Sequence, residues 1–594
     1  VLRGSAEGGI EKQITVSFFD RHPGAALIDI VYRNVGDRPI AVAGWRAAAH
    51  DLLARPGGAW SFSGASHADR RDWVQPVKPG FDQRNFMGMS ASDYGGGTPV
   101  AVVWRRDAGL AVGHVETVPR LVSLPVSAQP TGTRIALAAV EAGLLVSGAA
   151  LTLPTVFVMV HTGDHFQPLD TYRQIMAVRG IAAPASIPDA SYAPIWCAWG
   201  YERNFTTAQI YATLPKAKSL GLDWAVLDDG WQTSEGDWKV DRSKFPRGDA
   251  DMKAFADRIK AAGMRPRLWL APLAVDPGTD LMRDRPDMLL LDQNGAAQNV
   301  SWWNSYTMCP AYQPTVEFFR GQVRRIIGDW GFEGLKLDGQ HLNGVAPCYN
   351  PAHNHARPEE SFEKLQDFWK ALYDTAIEIN PEAVVEICPC GDAFAFHNIP
   401  AMNNTPASDP ESSWQVRLKG KTFKALMGPS APYAGDHVEL SDRHEDFASS
   451  YGIGAIVSTK FTWPEDTKHP TDKLPPGGFV LTPAREQLWR KWIALYRTNM
   501  LPKGRYLGHL YDIGFDKPEA HAIAAGGGLH YAFFADRWRG PIRLRGLDAG
   551  RRYDLTDSFT GRSMGTATGP EAVLETAFEH FLVVEARPAA GTRA

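Results

Sequence analysis

Gly334-Leu335-Lys336-Leu337-Asp338-Gly339 is a short apolar segment with a lysine and an aspartate two residues apart at its end. Residues two apart in a β-strand project from one face, so Lys336 and Asp338 point together. In a barrel of parallel strands that end is the mouth, where catalytic groups gather. The alternative is a core strand closing on a satisfied ion pair.

Outward from this run the chain alternates. Apolar, β-branched segments predict strands over 194–199, 224–228, 265–271, 334–338, 383–388, 405–409, 433–436 and 455–459. Amphipathic patterns between them predict helices over 206–220, 252–262, 314–330, 358–379, 414–427 and 443–451, with another over 484–498. Eight strands alternating with helices predict a (β/α)8 TIM barrel, hence an α/β fold class, over 187–502. The first 186 residues read as an all-β sandwich that ends in an Ala182-Ala183-Pro184-Ala185 linker. Residues 503–594 return to short strands and predict a small C-terminal β-sandwich.

The bulk properties narrow the function classes. With 594 residues, several domains are expected. The formal charge of −4 and the lack of a Lys/Arg cluster argue against a nucleic-acid or anionic-membrane partner. No apolar run reaches the roughly 18 residues needed for a membrane span. The start at Val1-Leu2-Arg3, without methionine, favours a periplasmic or secreted location over a cytoplasmic one. Five cysteines are too few and too irregularly spaced for a disulfide scaffold. Cys388-Pro389-Cys390 has no second ligand pair at zinc spacing, so neither a metal nor another cofactor is expected.

The predicted strand ends are rich in carboxylates: Asp228-Asp229, Asp338, Glu386, Asp392, Asp409, Asp436 and Glu439. Such a ring suits glycoside cleavage by paired carboxyls, divalent-metal binding by oxygens, or proton abstraction beside Mg2+. Trp196, Trp231 and Trp269 at the same ends favour a flat sugar-binding face.

The ordered motifs Leu227-Asp228-Asp229-Gly230-Trp231-Gln232, the 277–287 segment, Lys336-Leu337-Asp338, Glu386-x-Cys388-x-x-Gly391 and Ser408-Asp409 resemble glycoside hydrolase family 36 and its clan. This is the α-galactosidase (melibiase) group, with its raffinose-synthase-like branch. The resemblance covers roughly 188–502 and extends loosely to both flanking β domains. It implies a retaining, exo-acting α-glycosidase, foremost an α-galactosidase acting on a small oligosaccharide or glycoconjugate. It implies Asp338 as nucleophile and Asp409 as acid/base, with Asp228 and Asp229 gripping the 4- and 6-hydroxyls. Cys388 and Gly391 match the turn approaching the 2-substituent, and Arg417 the arginine after the acid/base.

Lys336 would keep Asp338 ionised and bind a hydroxyl. Asp409 has no cation on its own strand, which leaves room for a raised pKa. Plainer roles stand beside these. Asp229 caps a loop, Cys388 fills a small core gap, and Arg417 lies on a helix surface. His437 and Glu439 make structural hydrogen bonds, and Trp302-Trp303 is either a platform or loop packing. The chain also departs from the family pattern. Trp269-Leu270-Ala271-Pro272-Leu273 stands where many members carry two glutamates, and Gly339-Gln340-His341 where many carry Met-Asn-Arg. These departures admit an N-acetylgalactosaminide, a β-L-arabinopyranoside or another α-glycoside as substrate, and an apolar wall there would suit a deoxy or N-acylated group. A transglycosylase shares the same core carboxylates.

Overall fold

The computed structural model describes residues 1–6, 8–140, 143–300, 303–441, 446–464 and 478–589. All eight barrel strands form: β1 Ile195–Cys197, β2 Trp224–Leu227, β3 Arg265–Leu270, β4 Gly334–Asp338, β5 Val384–Cys388, β6 Thr405–Pro406, β7 Tyr433–His437 and β8 Ile456–Thr459. They pair in parallel in the order β5-β4-β3-β2-β1-β8-β7-β6. A parallel bridge between Glu386 and Asn404 joins β5 to the segment entering β6, so the sheet nearly closes.

Local chemistry explains the crossover helices. Thr207–Leu220 starts at a reciprocal capping box, in which Thr206 accepts from the Gln209 amide and the Gln209 side chain from the Thr206 amide. It stops at the left-handed Gly221. The helix expected over 314–330 is α-helical over Gln313–Val323 and then widens into a π-turn over Arg324–Asp329. The 443–445 start of another predicted helix lies outside the described residues, and Ala448–Ile453 is helical.

The N-terminal region is a nine-stranded antiparallel sheet with a four-stranded one. It is not all-β. Phe166–Val178 is an α-helix, with Phe166, Leu169, Tyr172, Ile175 and Met176 on its buried face. That 3–4 spacing was present in the sequence, within a block otherwise read by strand alternation.

The C-terminal strands form one six-stranded antiparallel sheet. Its strand Gly528–Arg545 is bulged between Ala535 and Arg537. The bulge shifts the inward parity, so Leu529, Tyr531 and Phe533 share one core with Ile542 and Leu544. No helix among the described residues is long and apolar enough to cross a membrane.

A single hydrophobic core runs from Phe62 and Trp104 through the barrel to Ile523 and Ala532. Helix Ser413–Leu426 lies at this junction and is buried nearly all round, three lysines included. Lys421 meets Asp164 at 2.5 Å and the Tyr511 carbonyl at 2.7 Å, tying the three regions together. Lys424 donates to the Ala431 carbonyl, and Lys419 to the carbonyls of Ser408 and Gly391. Buried charge is tolerated when every such group finds a partner.

Candidate active site

The strand ends enclose a cavity of about 340 Å3. Strand alternation decides what lines it. On β1, Ile195 and Cys197 face in, whereas Trp196 packs outward and donates Nε1–H to the Phe461 carbonyl. On β4, Lys336 and Asp338 both face in, as the two-residue spacing predicts.

Asp338 is held on both oxygens. Trp269 Nε1–H donates to Oδ2 at 2.8 Å and Cys390 Sγ–H to Oδ1 at 2.9 Å. Lys336 was expected to serve Asp338 first, but its Nζ lies 2.8 Å from Asp228 Oδ2 and 3.9 Å from Asp338 Oδ2. The reason is reach: β2 brings Asp228 across the barrel to the ammonium. Burial pushes the Asp338 carboxyl up and outweighs Lys336, with Asp228 and Asp409 adding to the rise. Burial acts on Asp228 too, but Lys336 and the Asp229 and Cys197 donors hold it below its ordinary value.

Asp229 takes Gln232 Nε2–H at 2.7 Å and Arg203 at 2.6 Å. Gly230 permits this approach: it sits at φ +106°, and a Cβ there would lie 2.7 Å from the Arg203 Cα. Burial raises the Asp229 carboxyl even with Arg203 pulling it down.

Asp409 occupies the opposite wall and is the most open of these carboxyls, its side chain 43% exposed. Ser408 and Asp409 both adopt left-handed backbone, φ +56° and +41°. Such a turn costs of order 1–3 kcal/mol per residue and persists only where its surroundings enforce it. Here Asp436 Oδ2 accepts the Asp409 amide at 2.5 Å and Lys419 grips the Ser408 carbonyl at 3.0 Å. Asp409 has no cation on its own strand, but one reaches it from elsewhere in the fold. Arg70 of the N-terminal region places Nη1 4.0 Å from Oδ2. Gly391, at φ +90°, leaves room for it, since a Cβ would meet the Arg70 side chain at 2.7 Å.

Of the sequence candidates, Asp228, Asp229, Trp269, Lys336, Asp338, Cys388 and Asp409 come together around the cavity. Trp196, Trp231, Gly391 and Arg417 are not among its lining residues. Trp231 is buried, donating to the Trp269 carbonyl. Gly391 shapes the wall from behind, its amide donating to Ser408 Oγ.

Arg417 is neither surface nor site. It forms a bidentate pair with Glu519 of the C-terminal region, at 2.8 Å on both oxygens. Burial works against ionised Glu519, yet Arg417 and His521 hold it down at about 2. A depressed carboxylate stabilises fully above its unfolded pKa of about 4.5, and that share is lost as pH falls through about 2. Arg417→Ala should therefore cost about 2 kcal/mol near pH 7, less as pH drops below about 4.5, with turnover per folded molecule unchanged. Thermal melts across pH with parallel activity assays check this; a large kcat loss with an unchanged melt would contradict it.

Glu386, Asp436 and His437 also line the cavity. Glu439 sits behind it, bonded to Thr459 and the Lys460 amide. Trp302 lies outside the described residues. Trp303 lines the cavity, edge-on to His341, whose Nε2 meets the Pro272 carbonyl at 2.6 Å. Leu270, Ala271, Pro272 and Leu273 do not line it, so they supply no apolar wall. Arg70 had no sequence signal because it comes from the N-terminal region, and Arg203 was passed over because it lies in the loop after β1, beyond the residues read as that strand's end.

The melibiase family model matches residues 193–445, which span most of this cavity wall. That part of the barrel is a melibiase domain. An A type blood alpha-D-galactosamine galactosaminidase from Flavonifractor plautii is 28% identical over 93% of this chain and 51% of its own length. Alpha-galactosidase Mel36A from Lactobacillus acidophilus is 36% identical over 41% of this chain and 33% of its own. The chain thus spans about half or less of the length of these curated relatives. A solved GH36 alpha-galactosidase AgaA variant from Geobacillus stearothermophilus, in complex with raffinose, shares the fold of the melibiase barrel and its flanks. Its TM-score is 0.69 at 16% identity, covering 98% of this chain and 81% of that one.

Proposed function

We propose that the chain is a retaining, exo-acting α-glycosidase that hydrolyses terminal α-galacto-configured sugars by double displacement. The carrying observation is the pairing of a buried carboxyl, Asp338, held by Trp269 and Cys390, with a solvent-reachable one, Asp409, across one cavity. Asp338 attacks the anomeric carbon while Asp409 gives its proton to the departing oxygen, so the glycosidic C–O bond breaks as the ester bond forms. Asp409, now ionised, takes a proton from water as the water oxygen bonds to the anomeric carbon and the ester bond to Asp338 breaks, which releases the sugar and frees Asp338. Two carboxyls about 5–5.5 Å apart are the usual spacing for this course. Asp228, Asp229 and Lys336 offer acceptors and a donor for sugar hydroxyls at the closed end.

A second reading concerns the 2-position. Six carboxyls line the cavity (Asp228, Asp229, Asp338, Glu386, Asp409 and Asp436) against Arg203 and Lys336 in its wall, with Arg70 and Arg267 paired to Asp409 and Glu386 from outside it, among the described residues. That acidic surplus favours a 2-ammonium sugar over an N-acyl one, and the relative matching 93% of the chain bears a galactosamine name.

A panel of nitrophenyl α-glycosides tests both. Turnover is expected on the α-galactoside, the α-galactosaminide or both, above the α-N-acetylgalactosaminide and α-glucoside, with the α-anomer of the sugar released first. Initial release of the β-anomer would reject the retaining course, and preference for α-glucoside the sugar assignment.

A further inference from the structure

The loops after β3 and β4 carry a second cluster of reactive side chains, apart from the cavity. Cys309 follows a three-stranded excursion built from Ala274–Val275, Asn299–Val300 and Ser305–Thr307. Cys348, His353 and His355 lie in the long, largely irregular stretch between β4 and helix Glu360–Glu363. One ligating atom from each of the four lies within 4.8 Å of every other. Cys309 Sγ is 3.3 Å from His355 Nε2, and Cys348 Sγ is 3.3 Å from His353 Nδ1. Around a tetrahedral zinc ion with Zn–S of about 2.3 Å and Zn–N of about 2.0–2.1 Å, adjacent sulfur and nitrogen ligands stand about 3.5 Å apart.

The imidazoles are oriented as ligands usually are. His353 turns Nδ1 to the cluster and donates Nε2–H to the Asp287 carbonyl at 2.7 Å, with Tyr312 stacked on its ring. His355 turns Nε2 to the cluster and presents Nδ1 to Glu360 at 3.8 Å. A carbonyl or carboxylate on the far nitrogen selects the tautomer and stiffens the ligand. Cys309 and Cys348 are buried, and the His355 side chain is 8% exposed. Two thiols and two imidazoles in a closed shell suit zinc better than the hard cations that prefer oxygen.

We propose that Cys309, Cys348, His353 and His355 form a structural zinc site that clips the β3 excursion to the β4 loop. The sequence-based rejection of zinc rested on Cys388-Pro389-Cys390, whose sulfurs instead meet Ser408 and Asp338. The clip has a purpose the fold makes plain. The apolar support here is a small separate cluster of Leu290, Cys309, Val345, Cys348 and Phe362. The two loops it joins carry Trp303, which lines the cavity, and His341, which packs edge-on against Trp303. Joining loops across about 40 residues of chain restrains the unfolded state and fixes that part of the wall.

The test is metal content of the reduced, full chain after incubation with zinc chloride and desalting. About one equivalent should remain in wild type. It should fall below about a tenth in Cys309→Ser, Cys348→Ser and His355→Gln proteins. Because a variant can fail to fold, wild type is also loaded with cobalt(II). Intense visible bands and a thiolate-to-cobalt band in the near ultraviolet are expected. Folded wild type that retains no metal, or zinc kept by the Cys348→Ser protein, would overturn the site. So would a denaturing thiol count of fewer than five on protein never treated with reductant, which would mark a disulfide.

Discussion

Asp338→Ala is expected to lower kcat/KM on the best nitrophenyl α-glycoside by roughly ten-thousand-fold or more, as loss of a covalent nucleophile does. The shortened side chain leaves space beneath the anomeric carbon, lined by the Trp269 N–H and Cys390 S–H that held the carboxylate. Azide fits that space and carries the negative charge those donors served. Added azide should therefore restore part of the turnover. The C–N bond forms from the face Asp338 would have used as the aryl oxide departs, so the product is the β-glycosyl azide. Product anomer by NMR is the decisive reading. Wild-type turnover in the variant, or an α-glycosyl azide, would remove Asp338 from the nucleophile's role. Asp409→Ala differs in kind: leaving groups that need no proton should be spared far more than alkyl ones.

The second large effect concerns stability. Below the cavity floor Arg267 pairs with Glu386 and lies over the Trp224 ring at 4.4 Å; the arginine side chain is 0% exposed. Arg267→Met leaves a buried carboxylate without its partner, which costs about 3–5 kcal/mol. The first thermal transition should fall by about 5 °C or more. Burial already raises Glu386 against Arg267 and Lys336, and without Arg267 it rises further. A carboxyl raised above its unfolded pKa penalises folding as pH climbs above that value and is relieved as it protonates. The deficit should thus be smaller at pH 5 than at pH 8. Replacing both partners, Arg267→Met with Glu386→Leu, should recover much of the loss. An equal deficit at both pH values, or a double variant no better than the single, would refute the account.

The barrel was legible because its signal is local. Eight apolar segments separated by amphipathic helices state their own period, and β4 shows the point most directly. Two-residue spacing alone sets Lys336 and Asp338 on one face, and both line the cavity. The same rule, applied to β1, would have turned Trp196 outward once Cys197 was placed inward. The error there came from choosing residue type over parity.

What the chain could not declare from sequence is whatever depends on contacts distant along it. Arg417 entered as a site residue through the family resemblance, as the arginine after the acid/base, but it spends its charge on Glu519. Arg70 reaches Asp409 from a different part of the fold. The four zinc-ligand candidates span two loops with no regular spacing. Sequence by itself determined the strand–helix rhythm, six of the carboxylates at the barrel mouth (though it also named Asp392 and Glu439, which do not line the cavity) and the side on which Asp338 projects, because backbone periodicity is short-ranged. The tertiary structure decided which cation neutralises which carboxylate, since Coulomb and desolvation terms depend on distances through space that the fold creates.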